Sequence, residues 1–568
     1  MQNDWYRDAV FYEVFVRAFA DGNGDGIGDL PGLTARLDYL QALGVDALWM
    51  LPIFPSPLRD DGYDVADYGA IHPDYGTLDD FRHLMAAAHH RGLRVVVELV
   101  PNHTSDQHAW FQASADPSHP DHATYRDWYV WSDTDDRYGA ARIIFLDSEP
   151  SNWTFDPRRG QYFWHRFFHH QPDLNYDNPA VQRAMLRAVQ FWLDLGVDAF
   201  RVDATPYLFE REGASSENLP ETHAFLKRLR QFVDAYAPGT MLLSEANQWP
   251  EDVRPYFGGN PADPTAPGDE FHMNFHFPLM PRIFMALARG DRAPIQQILA
   301  RTPPLPAGCQ WATFLRCHDE LTLEMVTPAE REFMWNFYAP EPRMRLNLGI
   351  RRRLAPLLGN DRRRLELANS LLLTLPGSPV IYYGDEIGMG DNIWLDDRDG
   401  VRTPMQWSDA VNAGFSSAAP AQLHDPVIDD VMGDQTYSYR RVNVAAQEAD
   451  PDSLLHTMRR LITVRKQHPA FGRGDLTWLP CSTPAVAAYS RAGTAERLFI
   501  VQNLSAQPQA ATIELPISAP LPPILGEPNA FPPAAADLHD LLSGRRLAVQ
   551  EDGRLALNLA PYEYLWLG

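Results

Sequence analysis

Eight short apolar runs, spread over most of a 568-residue chain and separated by helix-like segments, constrain the fold more than any other feature of the sequence. In order they occupy 10–17, 46–51, 94–100, 197–202, 240–244, 271–275, 312–316 and 379–383. Helical periodicity fills 30–43, 78–91, 180–195 and 220–236 between them. Apolar runs alternating with helices read as βα units around a parallel sheet, and eight such units predict a closed (β/α)8 barrel of α/β class. The sixth run is the weakest, being short and rich in His and Asn. A doubly wound sheet is the runner-up, but the Gly-rich first βα turn that marks it is missing.

Two gaps are too long to be simple connections. The stretch 104–172, rich in Trp, Tyr, His and Asp, predicts an inserted domain above the C-terminal end of the third strand. The stretch 320–361, after the seventh strand, reads as a helical insertion on RMRLNLGIRRRLAPLL. Its Arg351, Arg352 and Arg353 suit a solvated, ion-paired helix face better than a phosphate patch. From about 480 the pattern changes to short alternating strands, which predicts a C-terminal β-sandwich with a Pro/Ala-rich loop at 517–536. The expected organisation is a barrel over 1–103 and 173–478, an inserted lid over 104–172, a helical insertion over 320–361 and a sandwich over 479–568.

Composition narrows the partners. Lys and Arg number 49 against 74 Asp and Glu, a net charge of −25, so the chain lacks the basic footprint that neutralises phosphates. Nucleic acid and an anionic membrane surface are both disfavoured, and no apolar run of about 18 residues exists to span a bilayer. The three cysteines, Cys309, Cys317 and Cys481, form neither a disulfide framework nor a CxxC zinc site. The start of the chain lacks a signal-peptide h-region. The expectation is a cytoplasmic protein acting on a small molecule, with a homo-oligomer allowed.

In such barrels the active site lies at the C-terminal ends of the strands. There the third run ends in Asn102 and His103, the fourth in Arg201 and Asp203, the fifth in Glu245, and the seventh in His318 and Asp319. The loop after the second holds Tyr63 and Asp64, and the eighth is followed by Asp385, Glu386 and later Arg402. One strand-end carboxylate is often only a helix cap. Carboxylates, His and Arg from many strands converging on one pocket are far more specific. Arg201 lies two residues before Asp203, so in a strand both share a face and the guanidinium holds the carboxylate ionised.

The segments VPNHTS (100–105), GVDAFRVDA (196–204), LLSEAN (242–247) and FLRCHDE (314–320) resemble the conserved regions of the α-amylase family, glycoside hydrolase family 13. The resemblance spans nearly the whole chain. It implies Asp203 as nucleophile, Glu245 as general acid/base and Asp319 as transition-state stabiliser. It also implies that Asp64, His103, Arg201, His318 and Arg402 hold a glucose ring with Tyr63 stacking beneath it. Retaining glycoside chemistry asks independently for two carboxyls about 5–5.5 Å apart. Three further stretches, at 21–32, 341–362 and 378–407, resemble the branch of the family that interconverts maltose and trehalose in one active site. An exo-acting α-glucosidase is the alternative within the same chemistry, and a non-catalytic amylase-like scaffold the alternative outside it. If isomerisation is the reaction, the two long insertions should meet as a lid, with Tyr207 and Asn247 lining the space where a released glucose turns. Two positions depart from the family pattern: Cys317 replaces the usual Asn, and Glu98 stands where Asp is commoner.

A metal is also expected. Asp21, Asn23, Asp25, Ile27 and Asp29 have the one, three, five, seven, nine spacing of a calcium loop, with Gly at the sixth position. Gly32 at the twelfth excludes an EF-hand. The resemblance implies a second calcium site from Asn102 and Asp173 side chains, the Tyr207 and Leu208 carbonyls, and Glu210. The His-rich 165–170 suits a lid surface better than zinc.

Overall fold

The computed structural model describes residues 4–260, 262–263, 265–516 and 537–568. The Pro/Ala-rich loop expected at 517–536 lies outside the described residues. Eight parallel strands close into a barrel in sequential order: β1 (Phe11–Val14), β2 (Ala47–Met50), β3 (Arg94–Leu99), β4 (Ala199–Val202), β5 (Met241–Ser244), β6 (Met273–Phe275), β7 (Gln310–Phe314) and β8 (Ser378–Tyr382). Each of the eight apolar runs supplies one strand. The strands are buried almost throughout, as parallel strands covered by helices on one side and barrel filling on the other must be. The sixth run makes the shortest strand, β6, and its polar Asn274 is fully buried.

The helices start where capping chemistry allows. Thr77 and Asp80 form a reciprocal capping box that opens α1 (Leu78–His90). Asn178, followed by Pro179, caps α2 (Pro179–Asp194), and Pro220 begins α3 (Pro220–Tyr236). The expected helix at 30–43 is instead two, Leu30–Ala35 and Leu37–Leu43, broken at Arg36.

The 104–172 segment carries a three-stranded antiparallel sheet from Trp131–Ser132, Trp153–Asp156 and Gln161–Trp164, with its own small core of Val130, Tyr138, Trp153 and Trp164. The 320–361 segment differs from its helical reading. A helix spans Pro328–Tyr338, but RMRLNLGI folds as a two-stranded hairpin, Arg345–Leu346 against Gly349–Ile350. Asn347 turns that hairpin with a positive φ of 49°, a conformation Asn tolerates and a helix forbids. The three arginines are not a solvated helix face either. Arg352 pairs with Asp391 at 2.9 Å, Arg351 caps the Leu395 and Asp397 carbonyls, and Arg353 is fully buried on the Tyr383 carbonyl. Together they brace the loop after β8.

Beyond the barrel, a four-stranded antiparallel sheet joins Asp475–Trp478, Val486–Ala492, Arg497–Asn503 and Tyr564–Leu567, and Gln509–Glu514 pairs with Arg554–Leu559. Their inward faces form a second apolar core. Buried polar contacts tie this unit to the barrel: Tyr489 to Thr374 at 2.6 Å, and Trp566 and Gln502 to Ser370 at 2.8 and 2.9 Å. Among the described residues no helix is long and apolar enough to cross a membrane.

Candidate active site

The β4–β5 ladder places the central pair. Its last rung joins Val202 to Ser244, so the next residues, Asp203 and Glu245, stand side by side above the barrel. Neighbouring strands lie about 4.8 Å apart, close to the carboxyl spacing of retaining glycoside chemistry. Asp203 donates its backbone N–H to Leu99 O at 2.8 Å, and Glu245 donates its own to Val202 O at 3.0 Å, so both main chains are pinned. Ala204 then turns sharply with φ 49°, an unusual angle for Ala, and aims its N–H at Glu245 Oε2, 3.2 Å away.

Arg201 sits between the two carboxyls. Its Nη1 reaches Asp203 Oδ1 at 2.5 Å and Glu98 Oε2 at 3.1 Å, while Nη2 reaches Glu245 Oε1 at 2.8 Å. The two carboxyls nevertheless separate in acidity. Burial raises both. For Asp203, Arg201 offsets much of this and leaves it at about 6. For Glu245, Arg201 also opposes, but the charges of Asp203 and Asp319 add to burial and push it to about 8. Asp203 is thus the stronger acid of the two and Glu245 the weaker, the order that a nucleophile and a general acid need.

Asp319 completes the set and is held ionised, well below the usual carboxylate range. Burial opposes this, but His318, Arg398 and Arg402 outweigh it. Arg398 Nη1 and Arg402 Nη2 both reach Asp319 Oδ1, at 2.8 and 3.1 Å, and His318 Nε2 faces Oδ2 at 3.1 Å.

These groups open into one shared cavity above the C-terminal ends of the strands. Of the expected site residues, Asp203, Glu245, Asp319, Tyr63, His103, Tyr207 and Asn247 line it. Among the described residues His103 offers an unpartnered, buried Nε2, and Asn247 an unpartnered Oδ1. Burial keeps His103 neutral, its pKa lowered to about 3. Arg201 and His318 lie just behind the wall, each 2% exposed. Tyr63 stacks parallel to the His318 ring at 5.5 Å, and its hydroxyl donates to Glu98 Oε1 at 3.0 Å.

Two expectations are corrected. Asp64 does not face the cavity. It is fully buried beneath the loop, where it accepts from Ser56 Oγ at 2.7 Å and from the Asp60 and Arg59 amides. The carboxylate on the cavity side of that turn is Asp60, paired with Arg398 at 2.7 Å. Arg402 likewise stands behind the wall, tied to Asp61 and to the His318 carbonyl, and the guanidinium that reaches the cavity is Arg398. In each loop two residues of like type lie within four positions, and only the turn between them selects the one that points inward. Asp385 and Glu386 play no part. Glu386 accepts from Tyr12 and Tyr39 below the rim, and Asp385 is buried beside Arg353.

Further wall residues come from the insertions, Ile144, Phe145 and Phe167 from one and Glu320, Thr322, Glu324 and Asn347 from the other, with Phe277 from the loop after β6. The aromatic richness of 104–172 was the one sequence signal for them. Arg142 clasps the two segments together. It donates to Glu217 Oε1 at 2.9 Å, Glu324 Oε2 at 2.7 Å and the Tyr207 hydroxyl at 3.2 Å. Asp147 adds a second tie by accepting the Asn347 N–H at 2.7 Å. Cys317 is a buried thiol held well above its usual pKa by burial and by nearby Glu13, so the inert reading of it fits.

The two metal sets differ. Asn102 Oδ1, Asp173 Oδ2 and Glu210 Oε1 are all buried oxygens without hydrogen-bond partners among the described residues. Burial drives the Asp173 acid up to about 8 and Glu210 well above its usual value. Orphaned oxygens from three side chains fit a hard cation. In the 21–29 loop the side chains turn back on the chain instead. Asp21 accepts from the Asn23, Gly24 and Gly26 amides, Asn23 from Asp25, and Asp25 from Ile27. Among the described residues only Asp29 Oδ2 is buried and unpartnered there. Among the described residues no three His, Cys, Asp or Glu side chains gather as a metal set, and His165 is taken up by Thr154 and the Phe167 carbonyl.

Comparison with known proteins agrees with this architecture. The family model for the α-amylase catalytic domain matches residues 13–326 and 350–474. A trehalose synthase of a Pimelobacter species is 59% identical over 90% of this chain and 89% of its own. A probable α-glucosidase of Rhizobium meliloti is 34% identical over 90% and 91%. The crystal structure of the trehalulose synthase MutB from Pseudomonas mesoacidophila superposes with a TM-score of 0.74 at 27% identity, covering 99% of both chains. With these motifs, this barrel and these matches, the chain belongs to the α-amylase family, glycoside hydrolase family 13.

Proposed function

We propose that the chain is a retaining α-glucosyl-transferring isomerase that interconverts maltose and trehalose, with minor hydrolysis to glucose. The observation that carries the reading is a carboxyl pair poised for glycosyl transfer inside a cavity whose acceptor side is closed by the Arg142 clasp. The 59% identity to a trehalose synthase supports it.

In this reading Asp203 attacks C1 of the glucosyl unit while Glu245 protonates the leaving oxygen, leaving glucosyl-Asp203 and a free glucose. Asp319 favours the charge developing at C1, and Asp60, His103 and Arg398 hold the ring hydroxyls. The released glucose turns within the space lined by Tyr207, Asn247, Glu320 and Asn347. Glu245, now a carboxylate, takes the proton from its C1 hydroxyl, whose oxygen attacks the intermediate and restores Asp203. Water competes for the same intermediate, so closure favours isomerisation. Calcium held by Asn102, Asp173, Glu210 and the Tyr207 and Leu208 carbonyls would fasten the inserted segment to the barrel.

Incubation with maltose followed by chromatography tests the reading. Trehalose is expected, glucose alone would indicate the α-glucosidase, and no change would indicate a scaffold. Labelled free glucose should enter trehalose far more slowly than isomerisation proceeds.

A further inference from the structure

Glu13, on β1, is fully buried and does not line the cavity. Its Oε1 accepts twice from one residue, the His318 Nδ1 at 2.5 Å and the His318 backbone N–H at 3.1 Å. Its Oε2 is buried and has no hydrogen-bond partner among the described residues. A buried carboxylate with an idle oxygen is costly unless a cation faces it.

The hydrogen bonds decide which cation. With Nδ1–H directed at Glu13, a neutral His318 ring would present a bare lone pair at Nε2. That nitrogen faces Asp319 Oδ2 at 3.1 Å, so lone pair would oppose lone pair. Nε2 also lies 2.9 Å from the Tyr63 hydroxyl, whose proton is already directed to Glu98 Oε1. Both contacts are satisfied only if Nε2 carries a proton as well. The other groups around the ring are the Trp49 edge at 5.8 Å, Cys317, the Arg402 guanidinium on the His318 carbonyl, and Arg201 at 3.5 Å from the Tyr63 hydroxyl. The arginines oppose a charge on the ring, and Glu13, Asp319 and Glu98 favour it. Burial also opposes the charge, yet Asp319 and Glu13 carry His318 up to about 9.

We propose that Glu13 is a positioning residue that keeps His318 doubly protonated and rotationally locked, so that its Nε2–H orients Asp319 and Tyr63 at the sugar-binding end of the cavity. Glu13 acts through His318 alone and touches no substrate. The inference rests on the functional reading above only for the identity of the substrate.

Glu13→Gln separates charge from geometry, because the amide oxygen can still accept both His318 hydrogen bonds. In histidine ring-13C spectra, with His318 assigned by its loss in His318→Gln, wild-type His318 should stay an imidazolium through pH 8. In Glu13→Gln its midpoint should fall by one pH unit or more. The alkaline limb of kcat/KM for p-nitrophenyl α-glucoside should move in the same direction, with the value near pH 6 within about threefold of wild type. Identical His318 titrations in the two proteins would overturn the proposal, as would a uniform loss of rate with no displacement of either curve. Failure of the isomerase reading would appear separately, as maltose giving no trehalose in the wild-type enzyme.

Discussion

The two ends of the cavity are built differently. At the sugar-holding end, Asp203, Glu245 and Arg201 stand on adjacent strands in fixed register, and Arg201, His318 and Arg402 are each 2% exposed. At the acceptor end, the walls are loops joined by ion pairs, and the central guanidinium, Arg142, has a side chain 39% exposed. The first end has little freedom and presents the carboxyl pair that retaining glycoside chemistry needs. The second is held by contacts worth little individually and screened by salt. The contrast teaches that reaction type and reaction outcome reside in separate parts of the molecule. In the proposed function the floor makes and breaks the glucosyl bond, and the wall sets whether water or glucose takes it.

The largest effect should come from the floor. Asp203→Ala removes the group that bonds to C1, so maltose turnover should fall by about four orders of magnitude or more with an unchanged melting curve. Turnover within tenfold of wild type would sink the assignment. A pH series probes the same pair. As pH rises through about 6, Asp203 loses its proton and the rate should climb, and through about 8 Glu245 loses the proton it must donate and the rate should fall. A rate still climbing at pH 9 would contradict the role of Glu245.

The wall should respond in kind rather than in degree. Arg142→Ala should raise the glucose fraction among products by roughly two- to fivefold, the range that about 1 kcal/mol from a half-exposed ion pair allows. Maltose consumption should change less. Raising salt should push wild-type partitioning the same way and leave Arg142→Ala nearly unmoved. Asn247→Ala removes a single 3.2 Å hydrogen bond to Thr322 and one cavity acceptor. It should raise the glucose fraction by a smaller factor, again more than it slows consumption. If it lowers both products equally, Asn247 belongs to the floor. The smallest effect is thermal. Chelation should lower the melting temperature by a few degrees through lost binding to the folded state, and Asp173→Asn should abolish that response if the orphaned oxygens hold the metal.

Legibility in the sequence follows the same division. All eight strands were readable because burial on both faces leaves a mainly apolar run, and the strand ends marked Asp203, Glu245 and Asp319. The loops were not readable to the same depth. Asp64 and Arg402 were among the expected sugar-holding groups, yet Asp60 and Arg398 reach the cavity. Between Asp60 and Asp64 the chain turns through Asp61 and Gly62, both at positive φ. Between Arg398 and Arg402 a single 3-10 turn intervenes. Neither turn has a periodicity that side-chain type could reveal.

The sequence by itself determined the barrel, the order of its strands and the carboxyls at their ends, because strand register carries a residue's position directly into space. Tertiary structure alone decided which of two like residues in a loop faces the sugar, that RMRLNLGI is a hairpin rather than a helix, and that Arg142 meets Glu324 across 182 positions of chain. Such contacts depend on where long loops land after folding. Their stability comes from partners far away in sequence, and no local pattern encodes a distant partner.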